Sequence, residues 1–197
     1  MRTVVFGASG TTGKEILRQL LDQHHEVTAI TRNSDHISLN HDLLNVVEAD
    51  VTNPESFAGI LSHAEVIISA LGNSILAKPV CATGISNIID NMVSDQKLIV
   101  ISAYGANDSN SGFYAKILRL GLNRQMRDKD QMEDLITQSE VNYTIIRPTR
   151  LTTGEAGSYQ VGDVDVGMFP SISVTNVADL VIKSLDHYDR QVIAITQ

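Results

Sequence analysis

Short apolar runs alternate with amphipathic stretches along the whole chain. The strand-like runs fall near residues 2–6, 26–31, 44–48, 65–70, 97–102 and 142–147. Apolar residues at helical spacing occur near 13–23, 54–62, 80–94, 115–139 and 175–186. The runs 64–70 and 97–101 are mostly apolar, which is typical of strands buried on both faces. The alternation predicts an α/β fold of the Rossmann type: a doubly wound parallel sheet with helices on both faces, in a single domain over 1–197.

A glycine-rich turn follows the first strand-like run. Gly7, Gly10 and Gly13 have the spacing G-x-x-G-x-x-G, and apolar residues at helical spacing follow over 16–21. In a strand–turn–helix unit the first glycine allows the turn, the second lets the backbone approach a pyrophosphate, and the third lets the helix pack closely. The free N–H groups and the positive end of the helix dipole face the anion. The segment predicts a bound dinucleotide, with contacts from Gly7, Ser9, Gly10, Thr11 and Thr12.

The end of the second strand-like run indicates which dinucleotide is preferred. A site that prefers NAD has Asp or Glu there, about 20 residues beyond the loop, to accept hydrogen bonds from the ribose 2′-OH. This chain has Thr31, Arg32 and Asn33, with no carboxylate. Because a guanidinium suits a 2′-phosphate, we predict that NADP(H) is preferred over NAD(H), with Arg32 and Asn33 at the site. The alternative is that Arg32 is an ordinary solvated arginine.

Two irregular segments, 103–114 and 148–174, interrupt the alternation. Both begin where a strand-like run ends. Doubly wound sheets bind ligands outside the carboxyl ends of their strands, and loops at that edge carry function. We therefore expect these two segments to form the walls of the substrate site.

Composition and charge restrict the partners. The chain has 43% hydrophobic and 19% charged residues, as an ordinary soluble protein does. A net charge of −8, without a Lys/Arg cluster, argues against a nucleic acid or an anionic membrane as partner. No apolar run approaches the roughly 20 residues of a transmembrane helix, and the first strand leaves no room for a signal peptide. We expect a cytoplasmic protein that takes a small-molecule acceptor, with a monomer as the default.

Cysteine and histidine indicate neither a disulfide framework nor a metal site. The single cysteine, Cys81, fits a small buried position at the start of a helix, in a reducing compartment. His36, His41, His63 and His187 are scattered, without metal-ligand spacing. We predict no metal.

The motifs together resemble those of a known group over nearly the whole chain. They are Gly7–Gly13, Thr31-Arg32-Asn33, Ala49-Asp50-Val51, Ser69-Ala70-Leu71-Gly72, Ile101-Ser102-Ala103 and Ile146-Arg147-Pro148-Thr149. In this order they resemble the atypical short-chain dehydrogenase/reductase group, in particular its small NmrA-like and biliverdin-IXβ/flavin reductase-like NAD(P)-binding proteins.

The resemblance implies roles for individual residues. Asp50 and Val51 would border the adenine, the carboxylate accepting from the exocyclic amine and the Val51 N–H donating to a ring nitrogen. An alternative for Asp50 is a turn residue before Thr52-Asn53-Pro54. The stretch Ala70, Leu71 and Gly72 would pass the ribose and the pyrophosphate. The nicotinamide would lie near Ser102, Pro148, Thr149 and Arg150.

The sequence departs from the wider superfamily in its catalytic residues. Typical members use a Tyr-x-x-x-Lys pair, in which the lysine lowers the tyrosine pKa. None of the tyrosines here has a lysine four residues later. Flavin and biliverdin-type relatives also lack the pair. Their acceptors are conjugated and electron-poor, so they can take a hydride and collect a proton from water, and catalysis reduces mainly to holding two planar rings in contact.

Two residues remain as catalytic candidates. Ser102 or Tyr104 would donate a hydrogen bond to a developing oxyanion. As alternatives, Ser102 satisfies backbone groups at the end of a strand, and Tyr104 packs within a loop. The charged run 128–134 is most simply a solvated helix face with Lys129 and Glu133 paired at i, i+4, and Lys129 is a remote candidate.

These observations predict an NADPH-dependent oxidoreductase that transfers a hydride to a flavin, a quinone or a similar conjugated acceptor. The alternative is a non-catalytic NAD(P)-binding redox sensor or regulatory protein of the NmrA type. The missing Tyr-x-x-x-Lys pair keeps both open, because fold analogy does not decide function.

Overall fold

A central eight-stranded sheet organises the fold. The computed structural model describes residues 1–72, 78–108, 121–162, 164, 166 and 170–197. Within them the strands are β1 (Arg2–Phe6), β2 (Glu26–Thr31), β3 (Leu44–Glu48), β4 (Val66–Ser69), β5 (Lys97–Ile101), β6 (Asn142–Pro148), β7 (Arg150–Thr152), β8 (Gln160–Gly162), β9 (Ser171–Ser173) and β10 (Gln191–Thr196).

The order of the strands creates a crevice at the carboxyl ends of the central strands. The order is β3-β2-β1-β4-β5-β6-β10-β8, and β7 and β9 form a separate parallel pair. All neighbours in the large sheet are parallel except β8, which is antiparallel to β10. The chain moves outward in opposite directions from β1 and from β4. In such sheets ligands bind at this switch point, outside the carboxyl ends of the strands.

Helices cover both faces of the sheet. Those in the described residues are α1 (Thr11–Asp22), α2 (Ala58–Leu61), α3 (Cys81–Asn91), α4 (Asn123–Gln138) and α5 (Val174–Lys183). Apolar residues of α1 and α5 pack in one buried cluster on one face, and those of α2, α3 and α4 pack in a second cluster on the other. The predicted doubly wound Rossmann fold is therefore confirmed. No helix in the described part of the chain is long and apolar enough to cross a membrane.

All six predicted strands are present, whereas two other features differ from the prediction. The predicted helix over 54–62 is a 3₁₀ turn (Pro54–Ser56) followed by the short α2, because Phe57 between them has a non-helical φ of −138°. Its buried ring lies edge-on to Phe6, 5.0 Å between centroids. Strand β10 was not predicted. The predicted helix over 115–139 is described only as α4, and 109–120 lie outside the described residues.

Candidate functional site

The glycine turn has a backbone that only glycine permits. Gly7 has φ +73°, and a Cβ there would lie 2.5 Å from the carbonyl oxygen of Ala70, which follows β4. A Cβ on Gly13 would lie 2.2 Å from the carbonyl oxygen of Gly7. Because both obstacles are backbone atoms, no side-chain movement relieves them. The turn thus packs α1 and the end of β4 directly on β1.

The N-terminus of α1 is left open at this turn. Gly10 precedes the helix and has no side chain to cap it, and the first helical hydrogen bond runs from Lys14 N to Gly10 O (2.9 Å). The backbone N–H groups of Thr11 and Thr12 have no partner among the described residues. Uncapped N–H groups and the positive dipole end favour an anion such as a phosphate.

A cleft of about 100 Å³ lies between the glycine turn and the ends of β2 and β3. We call it the glycine-loop cleft. It brings together six residues that the sequence analysis assigned to the dinucleotide, and five further residues complete it. The predicted residues are Gly7, Ser9, Arg32, Asp50, Val51 and Leu71, and the others are Phe6, Ile30, Thr31, Ala49 and Val80.

Asp50 acts in a turn, as its alternative interpretation proposed. Its Oδ1 accepts from the backbone N and the hydroxyl of Thr52 (2.9 and 2.8 Å). The backbone N–H of Thr52 is the main reason why the pKa of Asp50 is lowered. No hydrogen bond within the described residues uses Oδ2 or the Val51 N–H, and Asn87 Nδ2 holds the Val51 carbonyl (2.8 Å). The groups needed for the implied adenine contacts are therefore still available.

Arg32 carries an uncommitted positive charge at the cleft. Its side chain is exposed and makes no hydrogen bond or ion pair with the described residues. Its charge also contributes to the lowered pKa of Asp50, after the larger effect of the Thr52 hydrogen bonds. A guanidinium without a protein partner can donate two parallel hydrogen bonds to a phosphate.

Ser102 and Tyr104 lie at the carboxyl end of β5, and both are buried. The Ser102 hydroxyl has no hydrogen-bond partner among the described residues, so it satisfies none of their backbone groups, which was its alternative role. The backbone N–H groups of Ser102 and Tyr104 donate to the carbonyls of Ile146 and Pro148 (2.8 and 2.9 Å). A buried hydroxyl without a partner at the ligand-binding edge indicates a place for a ligand atom or a water.

The other residues predicted near the nicotinamide lie at the end of β6, where Pro148 is its last residue, and directly after it. Thr149 is buried, and its hydroxyl bonds the hydroxyl of Thr196 (3.2 Å). Arg150 is exposed and pairs with Ser171 in the small sheet. The cofactor contacts of Pro148, Thr149 and Arg150 remain predictions that follow from the resemblance, as does that of the exposed Gly72. Of the two expected substrate walls, residues 109–114 of the first and residues 163, 165 and 167–169 of the second lie outside the described part.

The charged run on α4 is not a solvated face, and this part of the prediction is wrong. Asp128 is buried and caps α3 from outside it: Oδ2 and Oδ1 accept from the backbone N–H groups of Cys81 and Ala82 (2.9 and 3.0 Å). Glu133 is buried and forms an ion pair with Arg147 of β6. The reason is that α4 docks with these residues inward, on partners far away in sequence.

Lys129 is also directed inward and does not pair with Glu133. Its Nζ donates to the carbonyl oxygen of Ile101, the last residue of β5 (3.1 Å). It thus lies beside Ser102, a position that the sequence interpretation, in which Lys129 was a remote candidate, did not predict. No i, i+4 rule could find this contact, because its partner is 28 residues away. We call the group of Ser102, Tyr104, Lys129, Glu133 and Arg147 the β5–β6 end of the crevice.

Cys81 is buried at the start of α3, as predicted. Burial raises the pKa of its thiol to about 11, so it is not a reactive thiolate. Within the described residues, no group of three or more His, Cys, Asp or Glu side chains is placed to hold a metal ion.

A tyrosine does contact a lysine elsewhere. Lys183 Nζ donates to the hydroxyl of Tyr159 (2.9 Å), which donates to Asp179 Oδ2 (2.5 Å). Burial and the bond to Asp179 raise the pKa of Tyr159, the opposite of what a catalytic tyrosine needs. The contact instead fastens the end of the 153–159 segment to α5.

The sequence profile of the NAD(P)H-binding family matches residues 7–188, and the chain belongs to this family. A curated relative is the photosystem II assembly factor Ycf39 of Cyanophora paradoxa, which is 27% identical over 169 residues. The match covers 84% of this chain and 50% of the relative. The chain thus spans about half the length of the curated Ycf39 proteins that it matches, including that of Synechocystis sp..

Solved structures show the same fold. The oxidoreductase ylbE of Lactococcus lactis has a TM-score of 0.84 at 24% identity, over 99% of this chain and 90% of that chain. The anaerobillin reductase ChuY of Escherichia coli O157:H7 has 0.83 at 21%, over 99% and 96%. A short-chain dehydrogenase/reductase of Veillonella parvula in complex with NADP has 0.83 at 18%, over 100% and 94%. At these identities the likeness establishes the fold.

Proposed function

We propose that this chain is an NADPH-dependent oxidoreductase that passes a hydride to a conjugated acceptor such as a flavin or a quinone. The observation that carries the proposal is the combination of a formed glycine-loop cleft with two groups at the β5–β6 end: a lysine, and a buried hydroxyl that has no partner in the part of the chain that the structure describes. When bound, the reduced nicotinamide supplies the hydride. The protein's part is to hold cofactor and acceptor in contact and to stabilise the charge that develops.

The residues at each end have distinct parts in this proposal. The open N-terminus of α1 binds the pyrophosphate, and Arg32 binds the 2′-phosphate. The Ser102 hydroxyl donates a hydrogen bond to an oxygen of the acceptor, and Lys129 gives the β5–β6 end a positive charge. The acceptor delocalises the incoming electron pair, so its proton comes from water and no acidic tyrosine is required.

Activity is tested by NADPH oxidation against a panel of flavins and quinones, with cofactor titration alongside. We expect turnover on at least one acceptor, lowered by Ser102→Ala and by Tyr104→Phe. Thr137→Ala, which changes a hydroxyl on the exposed side of α4, is the control. If Ser102→Ala and Tyr104→Phe both turn over every accepted substrate at the rate of the unchanged protein, the catalytic assignment is wrong.

The cofactor preference has a separate test. Arg32→Ala is expected to weaken NADPH binding by about tenfold and NADH binding much less, because only NADPH has the 2′-phosphate. Arg18→Ala, which removes an exposed arginine of α1, controls for the change in net charge. An unchanged ratio of the two affinities contradicts the assignment of Arg32.

The second candidate is a dinucleotide-binding regulatory protein without catalysis. Two observations favour it: the chain lacks the Tyr-x-x-x-Lys pair, and two of the curated relatives that it matches are named as assembly factors. Tight NADP(H) binding without turnover on any acceptor would support this function over the reductase.

A further inference from the structure

A carboxylate stands beside the carboxyl end of β2, although that end of β2 has none of its own. In the parallel register of β2 and β3, Glu48 is the partner of Thr31, the last residue of β2. The sheet therefore places Glu48 one strand away from the position where a NAD-preferring site has its acidic residue. The second strand alone could not reveal it, because the carboxylate belongs to the third.

Glu48 already holds the backbone that follows Arg32. Its Oε1 accepts from the backbone N–H and from the hydroxyl of Ser34 (2.8 and 2.7 Å). The next turn is also closed internally, since Asn33 Oδ1 accepts from the N–H of Asp35 (2.9 Å). The N–H and hydroxyl of Ser34, two residues beyond Arg32 in the chain, are donors that a 2′-phosphate bound at Arg32 would otherwise have available. A protein carboxylate therefore occupies donors that would otherwise serve the phosphate.

We propose that Glu48 is a specificity-determining residue that opposes Arg32 and limits the preference for NADPH over NADH. It competes with a 2′-phosphate for Ser34 and repels its charge, whereas it places no like charge against an unphosphorylated ribose. The inference rests on the proposed dinucleotide site and refines its selectivity. Cofactor preference is thus set by two opposing charges, one on the loop after β2 and one on β3.

The test is the variant Glu48→Gln, which keeps an oxygen for Ser34 and removes the charge. We expect NADPH to bind about threefold to tenfold more tightly, with NADH nearly unchanged, from the loss of one like charge at the exposed edge. The dissociation constants of both cofactors are measured by titration at low and at physiological salt. The NADPH gain should shrink as salt increases.

Glu26→Gln is the matched control, because Glu26 is an exposed glutamate at the opposite end of β2. It changes the net charge equally and should leave the ratio of affinities unchanged. The proposal is overturned if Glu48→Gln leaves that ratio unchanged, tightens both cofactors equally or weakens NADPH. The result is distinguishable from a failure of the Arg32 assignment, which Arg32→Ala tests alone.

Discussion

The glycine-loop cleft and the β5–β6 end are built in different ways. At the glycine turn that borders the cleft, a Cβ on Gly13 would meet the backbone of Gly7, and a Cβ on Gly7 would meet the backbone that follows β4. At the β5–β6 end, Lys129 reaches Ile101 and Glu133 reaches Arg147, across separations of 28 and 14 residues. The first depends on local backbone geometry, and the second depends on how a helix docks. Mutations at the two ends should therefore affect stability, dinucleotide binding and turnover differently.

The largest effect is expected from Gly13→Ala. Its Cβ would meet a backbone carbonyl that cannot move aside, so we expect a loss of about 4 kcal/mol in the free energy of unfolding and no measurable dinucleotide binding. Gly59→Ala is the control, because nothing lies within 4 Å of a Cβ there. Denaturant unfolding and cofactor titration measure both. Equal behaviour of the two variants would contradict the steric role of Gly13.

Glu133→Ala should separate stability from dinucleotide binding. It leaves Arg147 without its partner in a mostly buried place, at a cost of about 3 kcal/mol. Below its unfolding midpoint, the variant should still bind dinucleotide through the cleft. Glu140→Ala, at an exposed position, is the control. If Glu133→Ala lost dinucleotide binding as Gly13→Ala does, the cleft and the β5–β6 end would not be independent.

Lys129→Met tests the β5–β6 end without removing much apolar volume. We expect turnover to fall about tenfold or more, because one cation near the reacting atoms is lost, while NADPH affinity falls far less. Arg127→Met changes an exposed cation two residues away on the same helix and should keep full turnover. If both variants reduce turnover alike, Lys129 has no special position.

The smallest effect concerns the turn at Asp50. Its folded-state pKa is lowered, so its stabilisation is present above about pH 4, the ordinary range, and is lost as the pH falls through the lower folded value. Solvent screening reduces this contribution to a few tenths of a kcal/mol. Asp50→Asn should flatten the stability profile between about pH 5 and pH 2 relative to Asp90→Asn. Unfolding curves across this range measure the difference.

Sequence reasoning located most strands because buried parallel strands are short and apolar, as in Lys97–Ile101. It predicted one continuous helix across Phe57, where the structure has a break. An apolar residue fits a helical pattern whether it continues the helix or interrupts it with its side chain in the core. Sequence reasoning missed β10, in which Ile193 and Ile195 are buried but only pairing with β6 gives the run a place in the sheet. The residues of α4 were misassigned because charge spacing along one helix carries no information about a second element.

The sequence by itself determined the glycine turn and the dinucleotide site that follows from it. That result is local: the residues that need the special backbone are the residues that form it. Only the tertiary structure brought Lys129 to the end of β5 and buried Glu133 against Arg147. It also put Glu48 beside Thr31, because strand register decides which side chains meet. The physical reason is that a partner across a sheet or a helix interface is chosen by docking geometry, which spacing along the chain does not encode.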